Sequence, residues 1–308
     1  MHIAVYLPER QSFFWDTLRD GLREAAAALS PSIRLTFHAC TPGWTPHAWL
    51  ARPRQGRSDS GVILAPDDVM AAALRWEDAR RRAVPVACVS YGMLDSPGIP
   101  SVYVAPAAAG ALAGELMGRF VPGGGKVAIV TASTDTREHR EQVRGFTASL
   151  ARLNPSVRLA AVVETQPDDL GTHQRIRELL NAHPRLKGIY VSTSEPLPAL
   201  RAIGHHAGVA MPAVIATDLS PELIPWIRSG KVAATVYQRP LTQGHMVLQL
   251  LHTCVESGAL PVPHRQEVAP YAVMHSNLDL MLQRLALART STVSPRPHAA
   301  LAGADATA

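Results

Sequence analysis

The residues of this chain best suited to chemistry do not gather into a reaction centre. They stand just after short apolar runs: Phe13-Phe14-Trp15, Asp67-Asp68, Ser90-Tyr91, Thr134–Arg140, Ser192–Glu195 with Thr193 among them, Asp218 and Gln238. Aromatic faces cover the apolar C–H side of a small polyol, while carboxylate, guanidinium and amide groups hold its hydroxyls. This is an inventory for binding. Asp67-Asp68 could be read as an acid/base pair, but its place between a strand and a helix makes N-capping the plainer role, with Asp68 the cap. An enzyme acting on sugars would need a titratable pair, and Asp68 with Asp218 is the pair available; catalysis is not expected.

Standard cofactor and metal signatures fail on spacing. Gly123-Gly124-Gly125-Lys126 is not a phosphate loop, because such a loop needs a glycine where Phe120 stands and a Ser or Thr where Val127 stands. Leu7-Pro8-Glu9-Arg10-Gln11 fills the first turn without G-x-G-x-x-G. The adjacent His205 and His206 diverge on a helix, and His139 lies in a charged helix start, so solvated surface is the expected setting of all three. No G-x-S-x-G nucleophile elbow occurs. Neither a cofactor nor a metal is expected. Cys40 and Cys88 end apolar runs and read as small buried hydrophobes.

The elements that must position these residues follow from patterning. At 308 residues the chain allows two domains, and 47% hydrophobic with 18% charged residues describes a globular protein. The formal charge of +5 comes from scattered arginines, which leave no nucleic-acid footprint. MHIAVYLPERQ lacks the marks of a secretory signal, and no apolar run approaches a membrane span, so a cytoplasmic protein without membrane contact is expected. Short apolar runs such as Ile3–Leu7 alternate with helical patterns such as Phe14–Leu29, whose Phe14, Leu18, Leu22 and Ala25 share one face. A second series opens at Ala107–Phe120. The alternation predicts α/β architecture with two doubly wound parallel-sheet lobes. Ligands of such sheets bind beyond the strands' carboxyl ends, where the residues named above stand. A helix is predicted near Asp68–Arg82, and residues 286–308 read as a disordered tail.

The order and spacing of SFFWDTLRDGLREAA, GVILAPDD, VPVACVS, AGALAGELM, REHREQVRGF, AHPRLKGIYVSTSE, AVIATDLSPELIPWIRSGKVAATVYQRPLTQG and YAVMHSNLDL carry a resemblance over about residues 1–285. The chain resembles the type I periplasmic sugar-binding proteins and the ligand-binding core of LacI/GalR-type regulators, and VYQRPLTQG and MHSNLDL look closer to the regulators. The resemblance implies lobes joined by a hinge, with 1–104 plus 239–268 forming the N-terminal lobe and 105–238 plus 269–285 the C-terminal one. It implies that Phe14 and Trp15 sandwich a ligand ring, that Arg140 reaches it from the second lobe, that Asp218 accepts from its hydroxyls and that Gln238 contacts it at the hinge. Asp68, Tyr91, Thr193 and Glu195 complete the expected ligand set. Glu195 either faces the cleft, favouring a donor-rich or cationic ligand, or serves its helix dipole. Ser90-Tyr91, Ala65 and Ala105-Pro106 depart from the sugar-binding pattern and remove donors and acceptors from the first lobe. The expected function is effector sensing for a LacI/GalR-type regulator, with a sugar or sugar derivative as effector, homodimerisation, and DNA contact only through a helix-turn-helix headpiece that this chain does not contain. Solute binding for an ABC transporter is the alternative.

Overall fold

The computed structural model describes residues 1–9, 12–40, 59–66, 84–92, 98–165, 169–193, 195–206 and 211–291, and all statements below concern these. In chain order they form β1 (His2–Pro8), α1 (Phe13–Leu29), β2 (Arg34–Cys40), β3 (Gly61–Leu64), β4 (Val86–Val89) and β5 (Ser101–Tyr103). Then follow α2 (Pro106–Phe120), β6 (Gly125–Thr131), α3 (Arg137–Leu153), β7 (Val157–Glu164), α4 (Asp169–Ala182), β8 (Gly188–Val191) and α5 (Leu197–His206). The remainder is β9 (Ala213–Thr217), α6 (Ile224–Arg228), β10 (Ala234–Tyr237), α7 (Pro240–Ser257), β11 (Arg265–Glu267), β12 (Tyr271–Val273) and α8 (His275–Ser291).

The strands form two six-stranded sheets, ordered β11-β5-β4-β3-β1-β2 and β12-β10-β9-β8-β6-β7. Every strand pair is parallel except β10 with β12. These are the expected two α/β lobes. The inner strands GVIL, VACV and GIYV are buried throughout, as strands covered on both faces must be. Cys40, Cys88 and Cys254 are buried free thiols, as read for the first two.

Chain order places the last strands on opposite sheets, since β11 extends the first and β12 the second. The chain therefore passes between sheets after β5, after β10, and between β11 and β12. These three crossings are the hinge. α7 returns to pack on α1 and against β3, β4 and β5. Its buried Gln243, Gly244, Val247, Leu248, Leu251 and Cys254 recur at helical spacing, a pattern visible in the sequence but not assigned from it.

One expectation is corrected at the C-terminus. α8 runs to Ser291, six residues past the boundary at 285 and into the segment read as tail. Leu278 and Leu285 are buried in the second-lobe core, with Met281 and Leu282 packed beside them. That stripe anchors the helix on the second lobe. Residues 292–308, and the helix predicted near Asp68–Arg82, lie outside the described residues.

Candidate functional site

Both sheets have their switch point beside the first strand of the lobe: between β1 and β3 in one, between β6 and β8 in the other. At such points successive connections leave in opposite directions and open a crevice at the strands' carboxyl ends. Two cavities lie between the lobes at these ends. The larger, about 580 Å³, is walled by Ser12, Phe13, Phe14 and Asp16 from the first lobe and by Glu195, Asp218 and neighbours from the second. The smaller, about 180 Å³, lies at the hinge between Ser90, Tyr91 and Tyr103 on one side and Arg137, Glu138 and Glu141 on the other.

Asp218 is the polar centre of the larger cavity. It follows β9 directly, has φ +58°, and is 4% exposed. Its amide donates to the Val236 carbonyl at 2.9 Å, and the Thr235 hydroxyl donates to its carbonyl, which fixes this left-handed turn on β10. The carboxylate accepts from the Gln238 amide at 3.1 Å and from Gln238 Nε2 at 3.0 Å. Burial pushes the carboxyl up to about 7, against the pull of the two Gln238 bonds and with a further push from Glu138. One residue earlier, the Thr217 hydroxyl donates to the buried Tyr190 hydroxyl at 3.2 Å, and Tyr190 stacks on Phe146 with centroids 5.5 Å apart. A rigid polar floor results.

The facing wall is aromatic. Phe14 is buried and stands edge-on to Trp15, with centroids 4.8 Å apart. Phe13 and Phe14 line the cleft, and Phe13 reaches across to the second-lobe core. Trp15, expected beside Phe14, is half-buried and packs on the core cluster that holds Phe14, Leu18 and Leu22, and is not among the described residues lining this cavity. Helix phase is the reason, because Leu18 and Leu22 hold the buried face of α1 and turn Trp15 with them.

Arg140 is also placed differently from expectation. It is exposed, and Nη1 donates to the carbonyls of Thr134 at 3.1 Å and Asp135 at 2.5 Å, so the guanidinium caps its own loop. Arg137, three residues earlier, lines the hinge-side cavity together with Glu138. The loop that decides this phase is held by Glu164, whose carboxylate accepts from the Thr134 amide at 2.7 Å and its hydroxyl at 2.5 Å. These bonds hold the Glu164 carboxyl below its usual range. Gln238 sits at the hinge as expected, but its side-chain amide is turned onto Asp218, and its carbonyl accepts from Gln243 Nε2 at 2.8 Å. Thr193 is buried and its hydroxyl accepts from the Glu195 amide at 3.2 Å, while Glu195 lines the cleft. Tyr91 lines the hinge-side cavity. Asp68 lies outside the described residues.

His139 is half-buried rather than solvated, with Nδ1 2.7 Å from the Thr136 hydroxyl and 3.0 Å from the Ser133 carbonyl, while His205 and His206 are exposed. Among the described residues no cluster of His, Cys, Asp or Glu could hold a metal, and no helix is long and apolar enough to cross a membrane.

Two mirrored α/β lobes, a three-strand hinge and an aromatic-against-carboxylate cleft define a bilobal ligand-binding protein. The chain belongs to the periplasmic binding protein domain family, which it matches over residues 3–259. It is 25% identical over 244 residues to the ribose import binding protein RbsB of Salmonella typhimurium, covering 77% of this chain and 79% of that protein. Among solved structures it is similar to AraP, an arabinose-binding protein from Geobacillus stearothermophilus, with TM-score 0.75, 19% identity, and 91% and 98% of the two chains covered. It is equally similar in fold to a protein from Bacteroides fragilis assigned as a LacI transcriptional regulator, with TM-score 0.75, 14% identity, and 91% and 98% covered. The names of these relatives describe sugar binding and regulation, not catalysis.

Proposed function

We propose that the chain binds a small carbohydrate-like ligand between its lobes, without turning it over, and serves as the effector-sensing core of a LacI/GalR-type regulator. Ligand binding rests on one observation: a buried carboxylate, Asp218, is oriented by Gln238 at a strand's carboxyl end, across a 580 Å³ cleft from the Phe13 and Phe14 rings. A ring laid on the aromatic wall would present its hydroxyls to the polar floor. Such a ligand touches both lobes only when they close, so it shifts the equilibrium by its differential affinity for the closed form. The division into lobes is the one implied by the resemblance, extended at its end to Ser291.

The regulatory output is supported by the likeness of VYQRPLTQG and MHSNLDL to the regulators. In this reading the protein acts in the cytoplasm as a homodimer, and DNA is engaged through a helix-turn-helix headpiece rather than by the lobes. A second reading, solute capture for an ABC importer, is favoured by the likeness to the ribose import binding protein.

Thermal unfolding and small-angle scattering with a panel of pentoses and hexoses test the shared part. At least one sugar is expected to raise the midpoint and reduce the radius of gyration, and Asp218→Ala to abolish both effects. A panel that leaves both quantities unchanged sinks the sugar-binding reading. Recovery of the native protein from the cytoplasm as a dimer supports the regulator; recovery as a monomer from the periplasm supports the importer.

A further inference from the structure

We infer that the cleft selects a ligand carrying a protonated amine beside its hydroxyls, an amino-sugar-like cation rather than a neutral monosaccharide, an inference that rests on the ligand-binding reading above. The chain as a whole is basic, with 30 Lys+Arg against 25 Asp+Glu. Its larger cleft cavity inverts that balance. Among the described lining residues Asp16, Asp169, Glu195, Asp218 and Glu222 face Arg201 as the one base. Asp16 is discounted because Arg19 pairs with it at 2.8 Å on its own helix. Asp169, Glu195, Asp218 and Glu222 remain on the lining beside Arg201.

The four act differently. Asp169 and Glu222 are exposed, so water and salt weaken them, and they contribute chiefly a negative field that gathers cations at the mouth. Asp218 is 4% exposed, and among the described residues no Lys or Arg pairs with it. Its two hydrogen bonds come from the neutral Gln238. A desolvated carboxylate held only by neutral donors is stabilised most by a cation delivered into the same pocket. The opposite wall carries the Phe13 and Phe14 rings, and aromatic rings attract cations. A neutral sugar would satisfy the acceptors one hydroxyl at a time and leave the charge balance as it stands.

The test is isothermal titration of the full chain with D-glucosamine and D-galactosamine, each compared with its parent hexose and its N-acetyl derivative. An amine is expected to bind about ten-fold tighter than both of its neutral counterparts, with the preference shrinking as salt rises. Glu195→Gln should lower the amine's affinity several-fold more than that of the neutral sugars, so that the amine's preference shrinks. Glu222→Gln, at an exposed position where folding is not at risk, should do the same to a smaller extent. Equal or tighter binding of the neutral counterparts overturns the cation inference while leaving the sugar-binding reading intact. Absence of binding by every amine overturns the inference as well. If the pentose and hexose panel also fails, both readings fall.

Discussion

Strand order runs outward from β1 in the first sheet and from β6 in the second in the same sense, so each lobe opens its crevice at the same point of its topology. Each lobe also closes a helix pair over a glycine seam. In the first, Gly21 of α1 meets the Leu241 carbonyl and Gly244 of α7 meets that of Leu18. In the second, Gly110 of α2 meets the Gln142 carbonyl and Gly145 of α3 meets that of Ala107. The cleft walls diverge on this shared frame. The second lobe brings Asp218, Gln238, Thr217 and Tyr190 joined by hydrogen bonds, whereas the first brings aromatic rings, Ala65 and the Ser90-Tyr91 turn. One lobe offers a surface and the other offers direction, which separates the affinity of a ring from the recognition of its substituents.

The strongest way to break this comparison is Asp218→Ala. It leaves Gln238 without its acceptor and the ligand without its central one, a loss of about 1–3 kcal/mol, or roughly ten- to hundred-fold in affinity. Phe14→Ala should weaken all ring ligands alike. Asp218→Ala should instead erase the distinction between ligands that differ in their substituents, read from titrations of a matched pair. Equal loss of selectivity in both variants would refute the division of labour.

Asp218 also sets a pH signature. Its folded carboxyl titrates about 7 against an ordinary 3.8, so the fold holds the proton more tightly than the unfolded chain does. Its contribution to stability is fully present below about pH 4, declines as pH rises, and is lost by about pH 7. Asp218→Asn removes this titration. The variant-minus-parent difference in urea midpoint should therefore grow in the variant's favour from pH 4 to pH 7, and a flat difference would deny the buried, cation-free setting.

The glycine seams give effects of middle size. A Cβ at Gly145 would stand 2.0 Å from the Ala107 carbonyl oxygen, and one at Gly21 would stand 2.2 Å from that of Leu241. Backbone must shift in both cases. Overpacking costs about 1–3 kcal/mol, here at its upper end, and the gain in helix propensity returns about 1. Gly145→Ala and Gly21→Ala should each lower stability by about 2 kcal/mol in urea titrations. A large loss in one lobe beside none in the other would mean that the seams are not equivalent.

The lobes and the positions of Phe14, Glu195 and Asp218 were legible in the sequence because they follow from strand ends, and strand ends follow from apolar runs. Helix phase was not. Whether Arg140 or Arg137 faces the cleft depends on how Glu164, thirty residues downstream of Thr134, ties down the preceding loop. The direction of Trp15 is set in a related way, by the core face of α1. Gln238 stands at the predicted spot, but its partner is Asp218, which the parallel pairing of β9 with β10 brings beside it and which the left-handed turn at Asp218 orients. The element missed most fully, α7, has a clear helical period. Its Gln243 and Gly244 interrupt the apolar stripe for reasons that exist only in three dimensions, one bonding the hinge and the other admitting α1.

The smallest expected effect sharpens the comparison at the hinge, where the lobes meet. Arg239 follows β10 with φ +58°, stacks its guanidinium 4.1 Å above the Tyr271 ring, and donates to the Ala269 carbonyl at 3.3 Å. It thereby ties the second crossing of the chain to the third. Arg239→Ala should lower stability by about 0.5–1 kcal/mol, the size of an exposed cation–π contact. Because the clamp touches neither cleft wall, ligand selectivity should stay unchanged while the free lobes sample a wider range of openings, seen as a larger radius of gyration without ligand. Arg239→Lys keeps the charge but loses the planar stacking, and should fall between the two. A change in selectivity from either substitution would show that the hinge takes part in recognition and that the division between the walls is incomplete.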